Sequence, residues 1–192
     1  MMQGPSIRVR RWSRREYEQL VERSFFRPDE RLELLDGLLL VKEPQSSAHM
    51  TAVRLAEEAL RAAFGTGWEV RPQGPIALDP RSEPEPDVSV VRGRPRDYRD
   101  AHPTSPVLVV EVALASLKLD RTRKSRAYAR AGVPEFWIVN LVDRVLEVHR
   151  DPGRLEERRR WGYRSVQFLG RDAAVSPLAA PAALIVVADL LP

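Results

Sequence analysis

The sequence predicts an α/β fold, and three observations lead there. Residues 87–91 and 106–112 are β-branched, nearly unbroken apolar runs, each with a proline at or just before its start. Such runs read as strands covered on both faces. A helix with good stop signals follows the second run and leads into another apolar segment at 135–140, the strand–helix–strand order of an α/β layer. With 192 residues, 43% hydrophobic and 30% charged, the chain has enough material for one well-formed core and is short for two. One domain over residues 1–192 is therefore expected.

The elements follow in order. Ser13 and Glu16 form a capping box that opens a helix to about Glu22. Strands are expected at 31–35 and 38–42, joined by Asp36-Gly37, a strong signal for a tight hairpin. A helix over 47–64 presents Val53, Ala56, Leu60 and Ala63 or Phe64 as its apolar stripe. The chain then passes through strands near 68–70 and 76–78. A proline-rich stretch, 83–86, delivers Asp87 and is expected to be exposed and rigid. After the strand at 106–112, Asp120 reads as the N-cap of a helix over 121–131 that Gly132 and Pro134 end. Strands at 135–140 and 145–150 turn through Val142-Asp143. A polar segment and strands near 165–169 and 183–187 complete the chain.

Two acids stand out against this background. Glu111 interrupts an apolar strand that belongs in or beside the core, and an ionised carboxylate buried there without a partner costs roughly several kcal/mol. Asp87 sits nearby, and two carboxylates in one pocket raise each other's pKa unless a divalent cation neutralises them. Magnesium meets that need. On the following helix Lys124, Ala127, Tyr128 and Ala131 share one face by their spacing, whereas Arg121, Arg123, Arg126 and Arg130 lie largely elsewhere. The chain has only three lysines, Lys42, Lys118 and Lys124, against 28 arginines. An inward lysine therefore departs from the local habit, and lysine, unlike arginine, can lose its proton. Each residue alone has a plain reading, Lys124 as a snorkelling side chain and Glu111 as a paired strand-end acid. Taken together they favour a site.

Composition narrows the chemistry. The chain has no cysteine, which excludes disulfides, thiolate metal sites and a cysteine nucleophile. The three histidines, His49, His102 and His149, lack zinc-ligand spacing, so any metal is expected to be hard and oxygen-bound. No apolar run reaches the roughly 20 residues of a membrane span. The N-terminus carries Arg8, Arg10 and Arg11 without an apolar core behind them and does not read as a signal peptide. A cytoplasmic protein without a membrane partner is expected. The net charge of +4 suits a polyanion. Arginines cluster at 8–15, 92–99 and 158–160, where they either contact phosphates or form solvated surface. No P-loop, zinc finger, nucleotide-binding glycine pattern or repeat is visible.

At this point the residues resemble a known family. The series Pro86-Asp87, Glu111-Val112-Ala113, Asp120, Lys124, Tyr128-Ala129 and the run from Ala131-Gly132-Val133-Pro134 to Glu135-Phe136-Trp137-Ile138-Val139 is similar in order and spacing to the Uma-type putative restriction endonuclease family of the PD-(D/E)XK nuclease superfamily. Leu32-Glu33-Leu34-Leu35-Asp36-Gly37 and His49 extend the likeness, which covers about residues 16–150. The resemblance implies a restriction-endonuclease-like core, a central mixed β-sheet flanked by helices, that hydrolyses DNA phosphodiesters with Mg²⁺ or Mn²⁺. Asp87 and Glu111 would hold the metal together with the backbone carbonyl of Val112. Lys124 would orient the attacking water or hold the phosphate.

Glu33 is typically a glutamate in that family and either joins the acidic pocket or faces solvent from its strand. His49 either contacts a phosphate or water or serves as a helix cap. Lys118 and Arg121 are further candidates for nucleic-acid contact, and a homodimer would serve double-strand cleavage. Two departures matter. Position 113, where the superfamily name calls for lysine, is alanine, and Lys124 or Lys118 must stand in. The loop Ala113-Leu114-Ala115-Ser116-Leu117-Lys118 replaces a polar Leu-Ser-Pro-Ser-Thr-like stretch. The alternatives are a non-catalytic nucleic-acid-binding or dimerisation module on the same fold, and an interaction protein with an apolar surface around 177–191.

Overall fold

A computed structural model describes residues 9–156 and 160–192; of the arginine clusters, Arg8, Arg158 and Arg159 lie outside the described residues. Local chemistry sets the first elements. Helix α1, Arg14–Glu22, opens on the predicted box: Ser13 Oγ accepts from Glu16 N at 3.2 Å, and the Glu16 carboxylate accepts from Ser13 N at 2.9 Å. Strands β1, Leu32–Leu35, and β2, Leu38–Val41, pair antiparallel with Leu35 opposite Leu38. The turn is therefore Asp36-Gly37, and both residues have positive φ, 53° and 76°, as a two-residue primed turn requires. Helix α2 spans Ser47–Phe64 with Ser46 as its cap.

Six strands form the central sheet. They are β3 (Trp68–Pro72), β4 (Val88–Arg92), β5 (Leu108–Ala113), β6 (Glu135–Asn140), β7 (Val145–Leu155) and β8 (Arg160–Leu169), and they lie in that order. All neighbours are antiparallel except β5 and β6. A parallel pair needs a crossover rather than a hairpin, and here the crossover is a helix. We call it α3; it consists of Leu117–Leu119, a π-helical turn over Asp120–Lys124, and Ser125–Arg130. Gly132, at φ 76°, follows its end.

Both faces of the sheet are covered, as the apolar runs imply. Leu108, Val110 and Val112 join Val88, Val90 and the α2 residues Val53, Ala56 and Leu60 in one core. Val109 and Ala113, one residue out of phase, join Ala127, Tyr128, Phe136 and Ile138 in the other. Glu111 shares the phase of Val109 and Ala113 and so faces α3.

Four expectations are corrected. Asp120 is not a helix cap: α3 begins three residues earlier, and Asp120 lies inside it, 1% exposed. Residues 83–86 are not an exposed loop. Leu34 N donates to Glu83 O and Glu83 N to Leu34 O, so the segment adds to the β1 hairpin, and Glu83, Pro84 and Pro86 are buried. Residues 76–78 are extended but form no strand, because their N–H groups bond singly to Pro84, Pro103 and Ser82. The expected strand at 183–187 is only Ile185–Val186, paired with Ala174–Val175, before a 3₁₀ turn, Val187–Leu190. Within 177–191, Leu178 and Leu184 are exposed, while Ile185, Val187, Leu190 and Leu191 close the α2-side core. Among the described residues no helix is long and apolar enough to cross a membrane.

Gly37 offers a test of the hairpin. A Cβ there would stand 2.9 Å from Arg11 Cβ and 3.0 Å from Trp12 O, on a residue with φ of 76°. Gly37→Ala is expected to cost about 1–2 kcal/mol, measured by urea unfolding; an unchanged midpoint would contradict the turn described here.

Candidate active site

The β4–β5 register pairs Val88 with Val110, and carrying it one residue further sets Asp87 across from Glu111. Asp87 Oδ2 accepts the Val112 amide at 2.8 Å and lies 3.2 Å from His49 Nε2, which α2 presents from its first turn. Glu111 Oε1 receives Lys124 Nζ at 3.0 Å and the Tyr128 hydroxyl at 2.6 Å. Lys124 and Tyr128 are one helical turn apart on α3, so they reach the same oxygen. Lys124 Nζ also lies 3.2 Å from Glu33 Oε1, and Glu33 Oε2 accepts the Glu85 amide at 3.0 Å. The buried 83–86 segment thus orients Glu33.

The π-turn brings a fourth acid. Asp120 Oδ2 accepts from Ser116 Oγ at 2.6 Å, while Asp120 Oδ1 is buried with no hydrogen-bond partner. Four carboxylates, Glu33, Asp87, Glu111 and Asp120, therefore surround one ammonium, and none of the five side chains belongs to a residue more than 5% exposed. The charges do not balance, and the titration of the cluster follows from that. Burial pushes Glu111 up to about 8; Lys124 opposes the shift, and Asp120, Asp87 and Glu33 add to it. Burial also raises Asp120 to about 6, against Lys124 and the Ser116 hydroxyl. For Asp87 burial is outweighed by His49 and the Val112 amide, and its carboxyl is held below the usual range. Burial works against the Lys124 ammonium, but Glu111, Glu33, Asp120 and Asp87 outweigh it and hold the proton far more firmly than usual.

A hard divalent cation fits this donor chemistry. Among the described residues no three acid or imidazole groups already converge as a metal-binding cluster. The internal hydrogen bonds, however, fall on Oδ2 of Asp87 and Oε1 of Glu111. Asp87 Oδ1 and Glu111 Oε2 are left for a ligand, and the orphaned Asp120 Oδ1 is a buried oxygen in need of one.

Of the residues singled out from sequence, the fold gathers Glu33, Asp87, Glu111, Lys124 and His49. It does not gather Lys118, which is exposed at the start of α3, nor Arg121, whose guanidinium binds Glu147 at 2.7 Å on β7. Lys124, and not Lys118, is the lysine that reaches the acids. Sequence reasoning missed Asp120, taken for a cap, and Tyr128, taken for packing alone. The signal for Tyr128 was its place four residues after Lys124 on the inward stripe.

A central mixed sheet of six strands flanked by helices, with one parallel pair joined by a crossover helix, is a restriction-endonuclease-like α/β fold. The chain belongs to the Uma2 family, described as "Putative restriction endonuclease", which it matches over residues 14–187. Among solved structures it is similar to a crystal structure titled as a putative nuclease belonging to DUF820, from Anabaena variabilis. The TM-score is 0.69 at 14% identity, covering 89% of this chain and 96% of that one, a likeness of fold. No curated protein matches the chain significantly.

The raised acids have a consequence for stability. A carboxyl whose folded pKa is raised contributes stability below its unfolded value and loses it as pH rises through the folded value. Glu111 and Asp120 thus stabilise the metal-free protein in acid and cease to do so as pH passes about 6 and then about 8. Glu83, raised to about 8 by burial and by the neighbouring Glu18, acts in the same direction. In EDTA the unfolding temperature is expected to fall between about pH 5 and about pH 9, and Glu111→Gln to flatten part of that fall. A midpoint that rises over this window would contradict the charge balance.

Proposed function

We propose that the protein is a metal-dependent endonuclease that hydrolyses phosphodiester bonds of DNA. One observation carries the reading: Asp87 and Glu111 face each other at the start of β4 and the end of β5, with the Lys124 ammonium on Glu111 at 3.0 Å. Membership of a restriction-endonuclease family supports a nuclease and makes DNA the first substrate to test. Mg²⁺ or Mn²⁺ bound here supplies Lewis-acid stabilisation of the phosphate and a water of lowered pKa. Asp87, Glu111 and the Val112 carbonyl would hold the ion, and the charge of Asp120 adds to the negative potential that favours it.

The chain's own groups then have distinct tasks. Lys124, whose proton is held by four carboxylates, serves as a cation and hydrogen-bond donor to a phosphate oxygen or to the attacking water, not as a base. Glu33 forms a second ion pair with Lys124, at 3.2 Å, and so aims it. Tyr128 fixes Glu111 Oε1, and His49 fixes Asp87 Oδ2, as outer groups orient ligands in metal sites. Cutting both strands of a duplex calls for two such sites, which a two-fold dimer would supply.

A second reading, a nucleic-acid-binding module without catalysis, draws on Ala113 in the lysine position and on Leu114, 44% exposed in the apolar loop beside the site. Metal dependence separates the two. Purified protein is expected to nick or linearise plasmid DNA with Mn²⁺ and to be inert in EDTA. Glu111→Gln and Asp87→Asn are expected to abolish cleavage with the fold intact by circular dichroism, and Tyr128→Phe to reduce it by about 10- to 100-fold. DNA binding with no cleavage by wild type, unaffected by EDTA or by the acid variants, would establish the second reading instead.

A further inference from the structure

A cavity of about 950 Å³ opens between α3, the β1–β2 turn and the start of β8. Six arginines line it against two aspartates, Asp36 and Asp79, and Arg130 binds both acids, at 2.7 and 2.6 Å. The acids are thus satisfied by one of the six. Arg81, Arg123 and Arg126 form no ion pair among the described residues. Moreover, Nε of Arg126 is buried with no acceptor, a costly state that a ligand oxygen would relieve. The charge of these three guanidinium groups calls for a polyanion, and guanidinium forks suit phosphate oxygens.

The same wall carries Trp161, half-buried at the start of β8. Arginines interleaved with an aromatic ring are the means by which proteins follow a single strand, phosphates on cations and a base on the ring. The cavity is concave and near the upper end of the roughly 300–1,000 Å³ of ligand pockets. A space of this volume has room for a few nucleotides of a single strand. Its position suits a strand that leaves the acids: Asp36, the first residue of the β1–β2 turn, follows Glu33 by three residues, at most about 10 Å at strand rise.

We propose that this cavity holds one single strand of nucleic acid as it leaves the acidic site, with Arg81, Arg123 and Arg126 on phosphates and Trp161 against a base. The strand's source rests on the nuclease reading above; the binding itself does not. The test is fluorescence anisotropy with a labelled oligothymidylate of about 12 nucleotides, titrated in EDTA over a series of salt concentrations. Arg81 and Arg123 are exposed, so Arg81→Gln/Arg123→Gln is expected to unfold at the wild-type temperature. It should weaken binding at least about fivefold and flatten the salt slope by about 1.4, roughly 0.7 for each lost phosphate contact. Trp161→Leu should weaken binding about tenfold.

Binding by the double variant within about twofold of wild type, with the same salt slope, overturns the proposal. So does a duplex of equal length that competes as well and through the same arginines. Cleavage with Mn²⁺ is scored separately. Wild type that cuts DNA while the double variant binds normally defeats this inference alone. Wild type that binds through the arginines without cutting supports the cavity and defeats the nuclease reading.

Discussion

The buried ammonium of Lys124 is the interaction on which the arrangement depends. It bonds Glu33 of the hairpin and Glu111 of the sheet while standing on the helix that crosses between β5 and β6. Three separately formed elements therefore meet at one charge. A buried ion pair gains little over an apolar contact of the same shape, but removing one partner leaves a buried charge uncompensated, at about 3–5 kcal/mol. With four acids present, loss of the lysine would leave several. The cluster is therefore a poor means of gaining stability and a strong means of fixing geometry. Its residual negative charge is what makes a divalent cation fit.

The π-turn in α3 serves the same end. In a regular α-helix Asp120 and Lys124 are successive residues of one stripe. Widening the turn at this point keeps both buried against the acids while Arg121, next in sequence, swings to Glu147 on β7. π-turns within α-helices tend to occur at functional sites, and this one accompanies the only lysine of the chain that lies in the core. The phase of one helix thus separates three tasks: Lys124 and Tyr128 toward the acids, Arg121 toward β7, and Arg123 and Arg126 toward the cavity.

What could be read from the sequence was local. The Asp36-Gly37 turn, the extent of α2, the doubly covered β4 and β5 and the anomaly of Glu111 all follow from neighbours a few residues apart. The readings that failed needed distant partners. A serine or aspartate ahead of an apolar stripe reads as a cap, and only the earlier start of α3 turns Asp120 inward. The stretch 83–86 has two prolines, which donate no hydrogen bond and so suggest a loop. Its glutamates nevertheless supply the N–H groups that pair with β1 and hold Glu33. The arginine-lined cavity was not legible at all. Its six arginines come from four separate stretches of the chain: Arg11 and Arg160 belong to clusters conspicuous in the sequence, but only the fold brings them to Arg81 and to Arg123, Arg126 and Arg130 of α3.

The acidic site and the cavity share a mechanical support. Lys124 and Arg130 are six residues apart on α3, about 9 Å at helical rise. Glu33 on β1 and Asp36 at the start of the β1–β2 turn are three residues apart, at most about 10 Å at strand rise. The two lengths match, and Lys124 binds Glu33 while Arg130 binds Asp36. The helix is thus stapled to the hairpin at two points, one inside the cluster and one at the wall of the cavity. A displacement of either staple shifts the other, because both side chains of each partner ride on one rigid element. A strand seated against Arg123 and Arg126 would consequently hold α3, and with it Lys124, in the position that the acids require.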